Sequence, residues 1–220
     1  MSDHVDSASA PEKGPKEDDK KFNISVVITS FDSCVTEVKL DDYITAYREL
    51  YRFFQLMGSV FAFVASDVIE KVEILEKLRQ SEDKEHYVSI ESMIKHEKEN
   101  SLLEKENFVN GSRTLLRLHR ALEFIYQFIE MLSKADDNDT TSSFAQGSYK
   151  ATLAQFHPWL LQKAALVAMY TLPIKSNLIN KVCPNVENAN ESLNKVANAC
   201  IHVYNITQKL YEHHDLLKLP

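Results

Sequence analysis

The chain has 220 residues, a formal net charge of −7 at pH 7 and 44% hydrophobic residues. This length predicts one large domain with a continuous apolar core. The acidic balance argues against a general binder of nucleic acid or of anionic membranes, because both rely on a broad excess of Lys and Arg, so any cationic site must be local.

Residues 1–21 form a polar N-terminal tail. Such a segment buries too little apolar surface to offset the entropy lost on ordering, so we expect a disordered tail before a folded domain at 22–220. The sequence has neither the ~18-residue apolar run of a membrane span nor the apolar core of a secretion signal, which predicts a cytosolic protein. The three cysteines are expected to be reduced and mostly buried: Cys34, Cys183 and Cys200.

The predicted elements are all helices. Only four glycines and six prolines occur, and no proline stands between Pro15 and Pro158, which is unusual for hairpin-rich folds. An apolar spacing near 3.6 predicts helices at 22–36, 41–56, 58–79, 85–100, 112–133, 147–172, 174–182 and 188–213. Residues 136–143 are predicted to form a polar loop. The pattern indicates a compact all-α fold of about eight helices rather than a repeat array.

The third predicted helix carries two charges within its apolar stripe. At about 100° per residue, the stripe contains Phe53, Met57, Val60, Val64, Ile74 and Leu78. Asp67 and Lys71 fall within it, at the i,i+4 spacing that lets a carboxylate and an ammonium meet. Removing such a pair from water is costly before mutual attraction offsets the loss. The pair therefore indicates either a functional opening or an ion pair at the solvent edge, with Lys71 extending into water.

The fifth predicted helix has a stripe that is cationic first and apolar afterwards. Arg113, Arg117 and Arg120 stand at i, i+4 and i+7, and the same face continues through Phe124 and Phe128. Like charges at this spacing repel unless an anion or a carboxylate lies between them. The cluster indicates a phosphate site, an exposed basic face, or pairing with acids elsewhere in the fold. The gradient along the stripe favours a ligand with an anionic head and a hydrocarbon tail.

A soluble carrier of such a ligand must enclose the hydrocarbon. At ~0.8 kcal/mol per buried methylene, moving one ~16-carbon chain through water would cost over ~10 kcal/mol. The candidate pocket residues are Phe53, Phe61, Phe124 and Phe128. Each of them alone fits an ordinary core position better than a pocket.

The segment His157-Pro158-Trp159 precedes the apolar run 160–170. His157 can donate or accept a hydrogen bond near neutral pH. Trp159, the only tryptophan, is an amphipathic residue suited to a membrane interface. Taken alone, a single Trp fits packing in the core or on the surface better than membrane docking.

An enzyme is not predicted. The histidines show no HExxH motif and no His/Asp spacing typical of metal ligands. The sequence also has no GxSxG motif and no glycine-rich phosphate loop. We therefore expect neither catalysis nor a metal site.

Three segments together resemble the signature segments of the glycolipid transfer protein superfamily: Asp67-Val-Ile-Glu-Lys71, Arg113-Thr-Leu-Leu-Arg117-Leu-His-Arg120 and Phe156-His157-Pro158-Trp159. Their order and separations also fit, and the resemblance covers roughly residues 22–220. It implies a two-layer sandwich of about eight helices that encloses a hydrophobic pocket for sphingolipid chains and needs no cofactor.

The resemblance also implies roles for the polar site residues. Asp67 and His157 would hold the ceramide amide. Lys71, Arg113 and Arg117 would bind a headgroup phosphate. Whether Arg120 contacts the phosphate or supports its neighbours is left open by the sequence.

Two departures from the glycolipid-binding members imply the subgroup. Those members carry a Trp that stacks on a sugar where Arg117 stands, and an Asn that binds sugar hydroxyls where Lys71 stands. Two residues that contact the sugar in those members are thus replaced here by two cations. This difference implies ceramide 1-phosphate as the ligand and its transfer between membranes as the function. Trp159 would lie near the surface that docks on the membrane.

The resemblance further implies a monomer that contacts Golgi, endosome or plasma membranes transiently and binds no nucleic acid. Two alternative functions remain. One is a glycosphingolipid carrier, and the other is a helical lipid sensor or adaptor whose partner is another protein.

Overall fold

The computed structural model describes residues 22–184 and 186–220, apart from the side chain of Val60. The predicted disordered tail, residues 1–21, lies outside the described residues. The helices of the described part are α1 (Ile24–Asp32), α2 (Leu40–Leu56), α3 (Ala62–Arg79), α4 (Ile90–Glu99), α5 (Gly111–Lys134), α6 (Thr141–Ala151), α7 (Trp159–Tyr170), α8 (Lys175–Val182) and α9 (Ala189–His213). The all-helical prediction is confirmed, and none of these helices is long and apolar enough to cross a membrane.

Side-chain caps encoded in the sequence set the start of several helices. The Asn23 carboxamide accepts a hydrogen bond from the backbone N–H of Ser25 at the start of α1. Ser89 and Ser92 form a reciprocal capping box at the start of α4. Asn110 accepts from the backbone N–H of Arg113 at the start of α5. Each cap satisfies N–H groups that the first helical turn leaves without a partner.

The core is organised around α5. It packs along α9 and also contacts α3, α4 and α6, while α1 joins α2 to α9. Two buried tyrosines tie these helices together: Tyr47 of α2 donates to the Leu118 carbonyl at 2.5 Å, and Tyr211 of α9 donates to the Ser112 carbonyl at 2.6 Å. All three cysteines are free and buried, as predicted. Helix α5, which carries the arginine stripe, is thus held from several sides.

The predicted single helix at 147–172 is wrong. Helix α6 already begins at Thr141, inside the predicted loop, and the chain leaves helical geometry at Thr152 (φ −120°, ψ −77°). A 3-10 turn and an extended His157 (φ −105°, ψ 139°) follow before α7 begins at Trp159. Pro158 explains the extended geometry of His157, because a proline disfavours helical geometry in the residue before it, but α6 has already ended at Ala151. The break places His157 between two helices instead of inside one.

The predicted apolar stripe of the third helix is also wrong. Helix α2 ends at Leu56, and Gly58 has a φ of 113°, so Phe53 and Met57 do not belong to α3. Within α3 the fully buried positions are Ala65, Val68, Val72 and Leu75. The residues assigned to the stripe are only half-buried there: Val64, Ile74 and Leu78. The error arose because the turn at Gly58 resets the helical phase.

Candidate functional site

The Asp67–Lys71 ion pair forms as its spacing predicts. The Lys71 ammonium lies 2.5 Å from one Asp67 carboxylate oxygen and 3.4 Å from the Asp67 carbonyl. The side chain of Lys71 is only 11% exposed, whereas that of Asp67 is 63% exposed. The pair therefore lies at the solvent edge, but Lys71 is folded inward and Asp67 faces water.

Lys71 lies on the side of α3 that faces α5. Leu78 follows it by seven residues and so shares its helix face. The Leu78 side chain lies close against Gly111, the first residue of α5. The packing of α3 on α5 therefore brings Lys71 toward the arginine-bearing helix.

Arg113 and Arg117 have no acidic partner among the ion pairs of residues 22–184 and 186–220. Arg113 is half-buried and donates to the Leu103 carbonyl at 3.2 Å, while its buried Nε has no hydrogen-bond partner within the described chain. Arg117 is exposed, and within the described residues its side chain makes one hydrogen bond, a 3.4 Å contact to Pro220 O. No Asp or Glu of the described residues therefore neutralises Arg113 or Arg117. Their charges remain available to an anion.

The backbone at the start of α5 is already satisfied by a buried carboxylate. Glu97 has no exposed surface and accepts from the backbone N–H of Gly111 at 2.5 Å and of Ser112 at 2.9 Å. A helix N-terminus commonly binds anions, and here the carboxylate of Glu97 occupies that position. An anion near Arg113 would consequently be bound by side chains.

His157 is held near the Asp67–Lys71 pair. Its Nδ1 lies 2.8 Å from the hydroxyl of Tyr149, a buried residue of α6. Burial is the main cause that lowers the pKa of His157; the Asp67 carboxylate raises this pKa and the Lys71 ammonium lowers it. The three residues that the sequence assigned to one site therefore influence each other electrostatically. Tyr149 was missed, since a Tyr inside a predicted helix gave no signal of this contact.

An apolar cavity lies below these polar groups, and all four candidate pocket residues line it. The cavity is narrow, with a volume of about 10 Å³, and the lining residues are Phe53, Phe54, Met57, Phe61, Phe124, Ile125, Phe128, Ile129, Ala145, Met169 and Leu172. Phe124 stacks on Phe128 at 6.1 Å between ring centres and meets the edge of Tyr149 at 6.2 Å. Tyr149 therefore connects His157 to the cavity wall.

Sequence reasoning missed a second apolar cavity, of about 20 Å³, beside the first. Phe53 and Ile129 line both, so the two cavities are neighbours. The other residues around the second cavity are Phe22, Ile24, Leu50, Leu132, Leu178, Ile179, Val182, Cys183, Leu193 and Val196. The apolar side of α5 continues past Phe128 through Ile129 and Leu132, and this pattern in the sequence could have indicated the second cavity.

Trp159 begins α7 and is 69% exposed. Leu160, Val167 and Tyr170 of the same helix are also more than half exposed, at 74%, 64% and 77%. The Lys163 ammonium lies 5.7 Å from the centre of the Trp159 ring. The structure thus places Trp159 on an exposed apolar surface of α7, outside the protein core.

Comparisons with known proteins agree with this architecture. The sequence profile described as Glycolipid transfer protein (GLTP) matches residues 38–184. The ceramide-1-phosphate transfer protein of Mus musculus is 39% identical over 212 residues, covering 92% of this chain and 98% of the mouse protein. The Homo sapiens protein of the same name is 39% identical over 209 residues, covering 90% and 97%.

Solved structures give the same result. The crystal structure of the mouse ceramide-1-phosphate transfer protein in its apo-form superposes with a TM-score of 0.85 at 40% identity, covering 91% of this chain and 100% of that one. The human protein in complex with 12:0 ceramide-1-phosphate superposes with a TM-score of 0.83 at 39% identity, covering 90% and 100%. The predicted fold of the superfamily is therefore confirmed, and the chain belongs to the glycolipid transfer protein family.

Proposed function

We propose that this protein transfers ceramide 1-phosphate between membranes. The observation that carries the proposal is a pair of cations, Arg113 and Arg117, that has no Asp or Glu partner within the described residues. The pair lies on the same helix as Phe124 and Phe128, which line an apolar cavity. Relatives at 39% identity are named ceramide-1-phosphate transfer proteins, and one structural neighbour was solved with that lipid. We further propose that the protein acts as a carrier without catalysis.

The headgroup phosphate would bind the two arginines and Lys71. A guanidinium presents two parallel N–H donors, so Arg113 and Arg117 can both grip a phosphate through charge-assisted hydrogen bonds. Lys71 adds a third positive charge from α3 and is only 11% exposed, so its charge is poorly screened by water. A sugar has no charge to balance this cluster, which is why we favour a phosphate over a glycan.

The ceramide amide would bind between Asp67 and His157. Asp67 uses one oxygen for Lys71 and faces solvent, so its carboxylate can accept a further hydrogen bond from an amide N–H. His157 uses Nδ1 for Tyr149, which leaves Nε2 for the lipid. These two residues would recognise any sphingolipid, whereas the cations would select the phosphate.

The two hydrocarbon chains would enter along the two neighbouring cavities, whose apolar side chains must move apart to admit them. Their linings are apolar throughout and meet at Phe53 and Ile129. Burying a chain here recovers the ~0.8 kcal/mol per methylene that its exposure to water would cost.

Exchange with a bilayer would use the exposed apolar surface of α7. Trp159, Leu160, Val167 and Tyr170 form an amphipathic contact that can enter the headgroup region, and Lys163 can meet anionic lipids. We propose a cytosolic monomer that contacts intracellular membranes only while it loads and releases its lipid.

Transfer between vesicles tests the proposed function. Donor vesicles would carry fluorescent ceramide 1-phosphate or fluorescent hexosylceramide with the same acyl chain, and the appearance of each lipid in acceptor vesicles would be followed. We expect rapid transfer of the phosphate-headed lipid and slow transfer of the hexosylceramide. Equal or faster transfer of the hexosylceramide would reject the headgroup assignment and favour a glycosphingolipid carrier.

A further inference from the structure

Arg120 differs from the two arginines before it, because its guanidinium is already engaged. One terminal nitrogen donates to the Leu217 carbonyl at 2.9 Å and to the Leu219 carbonyl at 3.2 Å. The guanidinium carbon also lies 4.2 Å from the centre of the Phe156 ring, which is close enough for a cation–π interaction. Arg120 thus connects three segments that are far apart in the sequence.

Both segments that Arg120 holds lead directly to residues of the headgroup site. Phe156 immediately precedes His157, in the break between α6 and α7. The C-terminal segment after α9 is anchored by the buried Leu216 and continues to Pro220, whose oxygen contacts Arg117. Loss of the Arg120 contacts would loosen both segments, although His157 keeps its contact with Tyr149 and its carbonyl still accepts from Gln162 at 2.9 Å.

We propose that Arg120 is a positioning residue, which clamps Phe156 and the C-terminal segment to α5 and thereby holds His157 in place for the lipid amide. This inference rests on the function proposed above, and it assigns Arg120 no contact with the phosphate.

The chemistry of the contact favours an arginine over a lysine. Burial and the neighbouring positive charge of Arg117 lower the pKa of Arg120, and no ion pair with an Asp or Glu balances it within the described chain. Two carbonyl oxygens and an aromatic face must therefore stabilise the cation. A planar guanidinium can stack on a ring while it donates to carbonyls at its edge, whereas an ammonium is a more strongly hydrated point charge.

The lipid-free protein provides the first test, through the titration of the His157 ring followed by NMR. In Arg120→Met we expect the pKa of His157 to rise toward its usual value, because the loosened segment exposes the ring to water and burial is the main cause that lowers this pKa. Phe156→Leu removes only the aromatic contact of a residue that is 43% exposed, so it should fold and give a smaller rise. Lys218→Met is the control, since it removes one exposed positive charge from the C-terminal segment and should leave the titration unchanged.

Transfer of ceramide 1-phosphate provides the second test. Arg120→Met should lower the rate about tenfold, and Arg120→Lys should not restore it, because the lost feature is the planar group and not the charge. An unchanged His157 titration in Arg120→Met, or full transfer by Arg120→Lys, would overturn the proposal. If the wild-type protein fails to transfer this lipid, the proposed function is wrong, and the lipid-free titration still decides the role of Arg120.

Discussion

Replacing Arg117 by Leu should strongly weaken recognition of the phosphate while leaving the fold intact. Arg117 is exposed, and its only hydrogen bond within the described residues is the 3.4 Å contact to Pro220. Leu is also a good helix former, so the α5 backbone is not strained by the change. The free energy of unfolding should therefore change by less than about 0.5 kcal/mol.

The expected loss of lipid affinity is much larger than this change in stability. A hydrogen bond to a charged group contributes about 1.5–3 kcal/mol, and each 1.4 kcal/mol changes a dissociation constant about tenfold. The Kd for ceramide 1-phosphate should consequently rise about 10- to 150-fold. Hexosylceramide has no phosphate for Arg117 to bind, so its Kd should stay within about threefold of the wild-type value.

The assay compares both lipids with the wild-type protein, Arg117→Leu and Lys218→Leu. Equilibrium binding gives the two Kd values, vesicle transfer gives the rates, and circular dichroism with thermal unfolding reports on the fold. Lys218→Leu removes a neighbouring exposed charge from the C-terminal segment and controls for a general loss of positive charge.

Two results would refute this reasoning. Unchanged affinity of Arg117→Leu for ceramide 1-phosphate would remove Arg117 from the headgroup site. Equal weakening of both lipids by the same substitution would show that the residue supports the pocket in general and does not select the phosphate.

Three further predictions concern the amide site, the pH dependence of stability and the start of α5. Asp67→Asn should raise the Kd of ceramide 1-phosphate and hexosylceramide alike, by about tenfold, because the amide is common to both lipids; a loss confined to the phosphate-headed lipid would contradict the amide role. Burial lowers the pKa of His119 from 6.5 to about 4, so the unfolded chain binds the proton more readily and stability is lost as the pH falls below 6.5. Urea unfolding should show about 2 kcal/mol less stability at pH 5 than at pH 7.5 from this group, a difference that His119→Gln should remove. Gly111→Ala would place a Cβ against the Met93 sulfur and should cost about 1–3 kcal/mol of unfolding free energy. The Cβ of Gly147→Ala would meet no atom of the described residues within 4 Å, so this substitution should add about 0.5–1 kcal/mol. Denaturant titration gives the free energy of unfolding of both variants, and an equal change in the two would rule out close packing at Gly111.

The α5 stripe could be predicted from the sequence because one continuous helix carries it. Its helical period is not interrupted between Gly111 and Lys134, so residues three, four and seven apart stay on neighbouring positions of one surface. Arg113, Arg117 and Phe124 were therefore placed on a common stripe without knowledge of the fold. The Asp67–Lys71 pair was predictable for the same reason, as a local i,i+4 contact within α3.

The contacts between helices could not be predicted in this way. Periodicity within one segment does not reveal that Tyr149 meets His157 across the break at Pro158, or that Arg120 meets the carbonyl of Leu217. The burial pattern of α3 was also mistaken, because the helical phase was carried through the turn at Gly58. Such contacts depend on tertiary packing, which overrides local preference.

The arrangement of charge on α5 separates stability from ligand selection. Glu97, fully buried, satisfies the backbone at the start of the helix, so α5 needs no external anion for its own stability. Arg113 and Arg117 repel each other and gain no acidic partner within the described chain, which costs the folded protein some free energy. A phosphate between them would relieve that repulsion only when the lipid is bound, so the same unpaired charges that weaken the free protein favour the loaded state. In the proposed function the apolar cavities would take up hydrocarbon from any sphingolipid, so selection of the headgroup would depend on these cations.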